Sequence, residues 1–441
     1  MKKNHWLEYG LLLLFFVLFV TIRSIHFKYF LNFVSDQASQ AIDVLDMFWT
    51  HHLRLIGNPI TSVVYQGRLM FQGPAYYYQL LFFMILGNWD PVVSSYLFMI
   101  FCGLMIVPLF YGVSFLLGKK TSWAVVSIYT LLPFFVNYTR FHWNPTYQLS
   151  LVPIVILFMG LHEKYKKPKY FFIFFILLGI LFQYHYQFVF TLAGIFLYYL
   201  LKEKNKVNTI LLSFFGFIIG ISPLIIFELR NKFYNISTFI LYLQNWSQVN
   251  RVGNWQTPHY YLGVSLFVVI AGAALIKLLM YRLAKGKNKN GKLLTTLIKS
   301  KNAYLVFILS LSFVMLFWSG FSFFKQPAEA FWAPVKNWNY LGERKAFDII
   351  KSKNIKDFNV IDLTYFDTKA TVIKYLFEKD SIKINGEDYR GNKFLFVIRS
   401  NARSLTDNAP YELLELGPSK LLETWKLNDK FRLDLLRRIP Q

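Results

Sequence analysis

The sequence predicts an all-α polytopic membrane bundle of about nine crossings plus re-entrant or interfacial helices, followed by a small C-terminal α/β domain. Hydrophobic residues fill 55% of its 441 positions and charged residues only 16%, where a soluble domain carries about 25% charged residues. Phe alone occurs 47 times, more than one buried core would hide. Five apolar stretches, at 6–25, 92–117, 209–227, 260–280 and 303–324, are each long enough to cross roughly 30 Å of hydrocarbon at about 1.5 Å per residue. After 324 the apolar pattern gives way to short alternating segments.

The first stretch follows Lys2 and Lys3 but has no small-residue cleavage site, and more apolar segments come after it. It therefore reads as a retained anchor rather than a cleaved signal. The formal net charge of +24 does not point to nucleic acid, because the cations sit mostly in short loops between apolar runs. That is the pattern of the positive-inside rule. Cys102 is the only cysteine, so there is no disulfide framework.

Shorter apolar runs at 75–87, 122–136, 147–161, 170–182 and 188–201 bring the candidates to ten. Three cationic loops test that count: Lys164 to Lys169, Lys202 to Lys206, and Arg282 to Lys301. Ten crossings from a cytoplasmic N-terminus would turn all three outward, against the charge rule. If one short run before Tyr147 fails to cross, all three become cytoplasmic. The run at 122–136 is the candidate for re-entry, which leaves Lys119 and Lys120 on the outer side. The outer segments are then 26–73, 230–259 and the tail. The chain divides into a membrane domain at 1–324 and an outer α/β domain at 325–441. In the tail 345–351 and 368–378 read as helices, and 358–363 and 394–398 as strands.

The first outer segment carries the candidate chemistry. Ser35 can cap a helix starting at Asp36. Ala38, Ala41, Ile42, Leu45, Phe48 and Trp49 repeat at helical spacing, which predicts a helix lying flat in the interface. Asp36, Gln40 and Asp43 share its opposite, polar face. Further on come Gly57, Pro59, Gly73 and Pro74, then Tyr76-Tyr77-Tyr78 at the start of an apolar run.

Here the sequence resembles the glycosyltransferase C superfamily, in particular the bacterial relatives of protein O-mannosyltransferases and lipid A aminoarabinose transferases. Asp36 matches the acidic residue on a juxtamembrane helix, and Pro74 matches the proline before the next membrane helix. The segment from Arg140 to Pro145 resembles the group's outer Arg-containing stretch. Gln37 stands where the mannosyltransferases have the second acid of an Asp-Glu pair, and Asn144 where several relatives have Asp. A role needing two carboxylates is therefore not implied.

The resemblance implies a membrane glycosyltransferase that moves a sugar, hexose or pentose, from a polyprenyl phosphate to a hydroxyl on the outer face. The acceptor would be a cell-envelope glycan, lipid or protein. Attack on the anomeric carbon needs a general base, and Asp36 is the candidate. The leaving phosphate needs cationic donors, and Arg54, Arg140 and Arg230 lie on the outer side, where the charge rule depletes them. Asp43, Pro74, Tyr76, Asn144 and His185 are expected to line the substrate cavity. No His or Cys spacing matches a protein metal site, and no cofactor is expected, with a divalent cation left open. Membrane lipid is the surrounding partner and nucleic acid is not one. The localisation read from these features is a multi-pass cell-membrane protein, N-terminus cytoplasmic and tail outside. The rival reading is a transporter or flippase of lipid-linked sugars, but no internal repeat of the kind transporters show is present.

Overall fold

The computed structural model describes residues 5–65, 67–245, 262–285, 335–364, 368–382, 384, 388–405 and 409–439. The chain opens with α1 (His5–Ser24), the short α2 (Phe27–Phe30) and α3 (Ser35–Thr50). A hairpin of β1 (Pro59–Tyr65) and β2 (Arg68–Phe71) follows, then α4 (Ala75–Leu86). The bundle continues through α5 (Pro91–Leu104), α6 (Ile106–Leu117), α7 (Lys119–Leu131), α8 (Pro133–Tyr138), α9 (Asn144–Tyr165), α10 (Pro168–Tyr184) and α11 (Val189–Lys202). It then runs through α12 (Lys206–Gly220), α13 (Ser222–Arg230), α14 (Tyr234–Gln244) and α15 (Leu262–Lys285).

Among the described residues, Trp6–Ser24, Pro91–Leu117 and Asn144–Tyr165 are each long and apolar enough to cross a membrane. The bent pair α12–α13, with 69° between its halves, would be a fourth. The chain is a multi-pass membrane protein with mostly helical architecture. The expected segment at 303–324 lies outside the described residues.

Contacts sort the loops onto two ends of the bundle. Lys119 pairs with Glu8, and Lys277 donates to the Leu117 carbonyl at 2.7 Å. Lys202 and Lys166 both reach Glu163, at 2.7 and 2.9 Å. All of these groups lie at the end where α1 begins. At the other end Arg23 donates to Thr139 Oγ1 at 2.7 Å, and Asn144 donates to the Tyr184 carbonyl at 3.1 Å. The run from Lys119 to Thr139 therefore travels the length of α1, so the structure does not support it as the re-entrant run.

α4 is the run that does not travel. Its first amide, of Ala75, meets Gln183 Oε1 at 3.3 Å. Just past its other end, the Trp89 carbonyl accepts from Tyr375 of the C-terminal unit at 2.6 Å. Both ends of α4 thus lie at the Arg23 end of the bundle. This reassignment also puts Lys119 and Lys120 with the other loop lysines, removing the exception that the sequence reading left.

Helix breaks explain two buried polar ties. Pro133 has no N–H to offer the Tyr129 carbonyl, and the turn at Leu132 also frees the Thr130 carbonyl. The fully buried Arg23 fills both, at 3.2 and 2.9 Å. Elsewhere the bundle closes on small residues, as membrane helices do when backbones must approach. A Cβ added to Gly160 of α9 would lie 2.5 Å from the Gly112 carbonyl oxygen of α6.

The C-terminal unit comprises α16 (Tyr340–Ser352), β3 (Phe358–Asp362), α17 (Thr371–Lys379), β4 (Phe394–Ser400), α18 (Tyr411–Leu416), β5 (Ser419–Lys426) and β6 (Phe431–Arg438). Its sheet order is β3-β4-β6-β5, with β3 parallel to β4 and the other pairs antiparallel. The two helices and two strands expected at 345–398 are all present. The β5–β6 hairpin and α18 escaped the sequence reading because β5 is an exposed edge strand without clean alternation. Arg399 and Asp434 form a buried pair across β4 and β6 at 2.5 Å.

Two outcomes are expected. With buried Cys102 replaced by Ser, a cysteine at Lys120 should react with an impermeant maleimide only after the cells are opened. A cysteine at Asn88 should react on intact cells, and the opposite labelling would overturn the assignment of α4. Gly160→Leu should lower stability by about 1–3 kcal/mol or more through overpacking, read as thermal unfolding in detergent. Gly10→Leu, where an added Cβ meets nothing within 4 Å, should be close to neutral.

Candidate active site

The site is built on α3. Ser35 is not its cap: the helix begins at Ser35, with Val34 in the capping position and no side-chain cap. Gln37 closes the first turn instead, its Oε1 accepting from the Val34 amide at 3.2 Å. This is the backward half of a capping box. It gives Gln37 a local structural task at the position where the resembled family has a second acid.

Nor does α3 simply lie on lipid. It is packed between α4 on one side and α17 of the C-terminal unit on the other. Gln37, Gln40, Ala38, Ala41, Val44, Leu45 and Met47 are buried, whereas Phe48 and Trp49 are exposed. Two flanking partners bury a wider arc than one membrane surface would, so the apolar stripe read from spacing is rotated. Phe48 still finds Trp89, with ring centroids 5.2 Å apart. At the α3–α17 contact, burial first and the nearby Asp46 second push the Glu378 carboxyl above its ordinary range.

The polar face is as the spacing predicts. Three consecutive tyrosines at the start of α4 point hydroxyls at α3 and its exit. Tyr76 donates to Gln40 Oε1, Tyr77 to Asp43 Oδ2 and Tyr78 to the Arg54 carbonyl, each at 2.6 Å. Asp36, one turn before Gln40, is exposed, and its charge acts on Tyr76. Asp36, Gln40 and Asp43 therefore form one row along the tyrosines, with Asp36 at its open end.

The three candidate cations have different surroundings. Arg54 pairs with Asp43 at 2.8 Å and with Asp46 at 3.3 Å. Burial lowers its pKa, Asp43 raises it, and the net shift is upward. Arg140 is buried, donates to the Ile22 carbonyl at 3.0 Å and lies 4.1 Å from the Phe30 ring centroid. Among the described residues its Nε and Nη1 have no hydrogen-bond partner, and burial pushes its pKa down to about 9. Arg230 is exposed at the C-terminal end of α13.

The cavity residues are ties between segments as much as lining. Pro74 is the N-cap residue of α4. Asn144, buried at the start of α9, donates to Gln72 Oε1 at 2.7 Å as well as to Tyr184. His185 caps the C-terminal end of α10 in extended conformation. Beside it Gln183 donates to the Gly220 carbonyl at 2.5 Å, at the break between α12 and α13. The Gln183 carbonyl also receives the Gly73 amide at 3.1 Å. A Cβ on Gly73 would lie 2.5 Å from the Gln183 side chain, so this junction requires glycine.

Residues missed as part of the site include Gln72, Gln79, Tyr77, Gln183, Tyr184 and Glu228. Tyr184 donates to Gln79 Oε1 at 2.6 Å, and Gln79 donates to Ser150 at 2.9 Å. Buried Glu228 accepts from the Asn235 and Ile236 amides, at 3.2 and 3.3 Å, and so starts α14. The signal that was there to be read is uncharged polar residues inside or at the tips of apolar runs. Among the described residues, no group of three or more His, Cys, Asp or Glu side chains is placed to hold a metal ion.

A family model described as dolichyl-phosphate-mannose-protein mannosyltransferase matches residues 73–227. No curated protein sequence matches the chain. The structure is similar to that of ArnT from Cupriavidus metallidurans in the apo state, with 11% identity and a TM-score of 0.58. That comparison covers 98% of this chain and 100% of the other. The crystal structure of ArnT from the same organism bound to undecaprenyl phosphate gives 12% identity and a TM-score of 0.57, covering 98% and 99%. The matched segment starts at the Gly73 junction and ends in α13, the likeness runs along nearly the whole chain, and this protein shares the fold of ArnT.

Proposed function

We propose that this protein is a membrane glycosyltransferase that moves a sugar from a polyprenyl phosphate to a hydroxyl acceptor on the outer face of the membrane. The observation that carries the reading is the row of Asp36, Gln40 and Asp43 along the α4 tyrosines. It holds an exposed carboxylate at the mouth of a rigid polar wall, on a helix clamped from both sides. The structural likeness to a protein crystallised with undecaprenyl phosphate supports a polyprenyl-linked donor.

The chemistry asked of the chain is limited. As the acceptor oxygen attacks the anomeric carbon, its proton must go to a base, and Asp36 takes it. The bond from the anomeric carbon to the donor phosphate breaks, and the phosphate leaves on its lipid with the bonding pair. A cation stabilises that charge. Arg230 is the exposed candidate. Arg54 serves Asp43, and Arg140 adds positive potential from within the fold.

One observation favours the flippase alternative: α12–α13 is a broken helix, a device transporters use at their binding sites. Here the carbonyl freed at the break is taken by Gln183. Release of free polyprenyl phosphate from a sugar-loaded donor by purified protein separates the two readings, since a flippase releases none.

Asp36→Asn should reduce turnover by at least about 100-fold with donor binding largely kept, as general-base contributions run about 10² to 10⁴. Asp43 is not an inert control, because it accepts from Tyr77 and pairs with Arg54. Asp46→Asn serves better: it removes only an exposed pair and should cost less than about fivefold. Near-normal turnover in Asp36→Asn would remove the base assignment.

Arg230→Gln should weaken polyprenyl-phosphate binding by about tenfold or more, the worth of a charge-assisted hydrogen bond. Arg54→Gln should leave binding nearly unchanged and lower turnover through Asp43. Unchanged affinity in the Gln variants of Arg54, Arg140 and Arg230 alike would eliminate a phosphate role for all three.

A further inference from the structure

A second site of amphipathic character lies on the other side of the outer end, where α1 hands over to α2. A groove of about 410 Å³ runs between residues 24–29 and the first turns of α5. Its volume is in the range of small-molecule and lipid sites. Phe27, Val92, Val93, Tyr96 and Leu97 give it apolar walls, and Ser24 and Tyr96 share a hydrogen bond at 2.9 Å along it. Lys28, on its rim, is exposed.

The electrostatics of this groove are one-sided. Directly after α1 passes Arg23 the chain enters the groove wall, and Arg140 lies behind it, bonded to the Ile22 carbonyl. Both guanidinium groups are at least 99% buried. Neither has a carboxylate partner among the described residues: Arg23 donates to Thr139 Oγ1 and to the Phe19, Tyr129 and Thr130 carbonyls, and Arg140 to the Ile22 carbonyl. Two of Arg140's nitrogens have no hydrogen-bond partner among the described residues. Asp90, at the head of α5, has its Oδ1 engaged by the Val92 and Val93 amides, at 2.8 and 3.2 Å. Uncompensated buried charge is costly, so an anion in the groove would relieve part of that cost through a low-dielectric layer.

The structure assigns this groove to an anionic phospholipid of the outer leaflet, with an acyl chain along the α5 wall and the phosphate at Lys28. There the positive charge of Arg140, held on the Ile22 carbonyl just before the groove, favours an anion. The site stands apart from the Asp36 row. Between them the chain passes through Leu31 and Phe33, both buried, and Phe33 packs on Tyr340 and Tyr375 of the C-terminal unit, at 5.7 and 5.3 Å between ring centroids. Because α2 also contacts α16, a lipid there would brace the junction between the bundle and the C-terminal unit. This inference needs only that the chain sits in a membrane and does not rest on the proposed reaction.

The test is lipid retention by the purified full chain, read by native mass spectrometry after exchange into mixed phosphatidylglycerol and phosphatidylcholine. Wild type should hold one phosphatidylglycerol with at least about tenfold preference over phosphatidylcholine, the scale of one charge-assisted contact. Lys28→Glu, an exposed change that leaves the packing alone, should abolish the preference. Val93→Trp should fill the groove and remove the bound lipid. No preference in wild type, or undiminished binding in Val93→Trp, would overturn the proposal. So would one-for-one displacement by polyprenyl phosphate, which would make the groove part of the donor site. Turnover is not measured, so failure here leaves the glycosyltransferase reading standing, and loss of that reading leaves this one intact.

Discussion

Backbone polar groups have no water to turn to inside a bilayer, and the breaks in this bundle are organised by that constraint. Pro223 opens the junction of α12 and α13, and Gln183 donates to the Gly220 carbonyl there. The same glutamine receives the amides of Gly73 and Ala75 through its backbone and side-chain oxygens. One neutral side chain thus joins a broken helix, the exit of the β1–β2 hairpin and the start of α4. Since α4 carries the tyrosines that meet Gln40 and Asp43, the geometry of the candidate site is set by how that break is satisfied. Arg23 does the equivalent work at the α7–α8 break.

The end of the bundle opposite the start of α1 holds α3 between α4 and α17. α4 presents hydroxyls to it, and α17 of the C-terminal unit covers its other side. A juxtamembrane helix held only by lipid could rock through several ångströms, whereas general-base catalysis needs the carboxylate within hydrogen-bond reach of its proton. Packing α3 between two protein surfaces supplies that precision. It also gives the C-terminal unit a physical connection to the site.

Charge is partitioned along the same axis. At the end where α1 begins, Glu163 is held between Lys166 and Lys202, and Glu203 lies near Lys166 and His162. The surplus lysines around them remain exposed. At the opposite end Arg54 is paired with acids, Arg23 and Arg140 are buried, and Arg230 is exposed.

The sequence by itself determined the solvent. Composition, five long apolar runs and lysine-rich short loops dictate a membrane bundle, and charge parity gives the expectation that one short run does not cross. It also determined the polar row of α3, because helical spacing alone puts Asp36, Gln40 and Asp43 on one face, and the α/β character of the tail. Tertiary structure decided which run does not travel the length of the bundle. The runs at 75–87 and 122–136 look alike by hydropathy, and only the anchoring of Ala75 on Gln183 and of Trp89 under Tyr375 distinguishes them. It decided too that Arg54 belongs to Asp43 and Asp46, and that Arg140 is buried. Those outcomes depend on contacts between residues roughly a hundred or more positions apart, or on how a loop returns upon itself. Neither periodicity nor charge counting registers such contacts, because both sum over neighbours in the chain rather than neighbours in space.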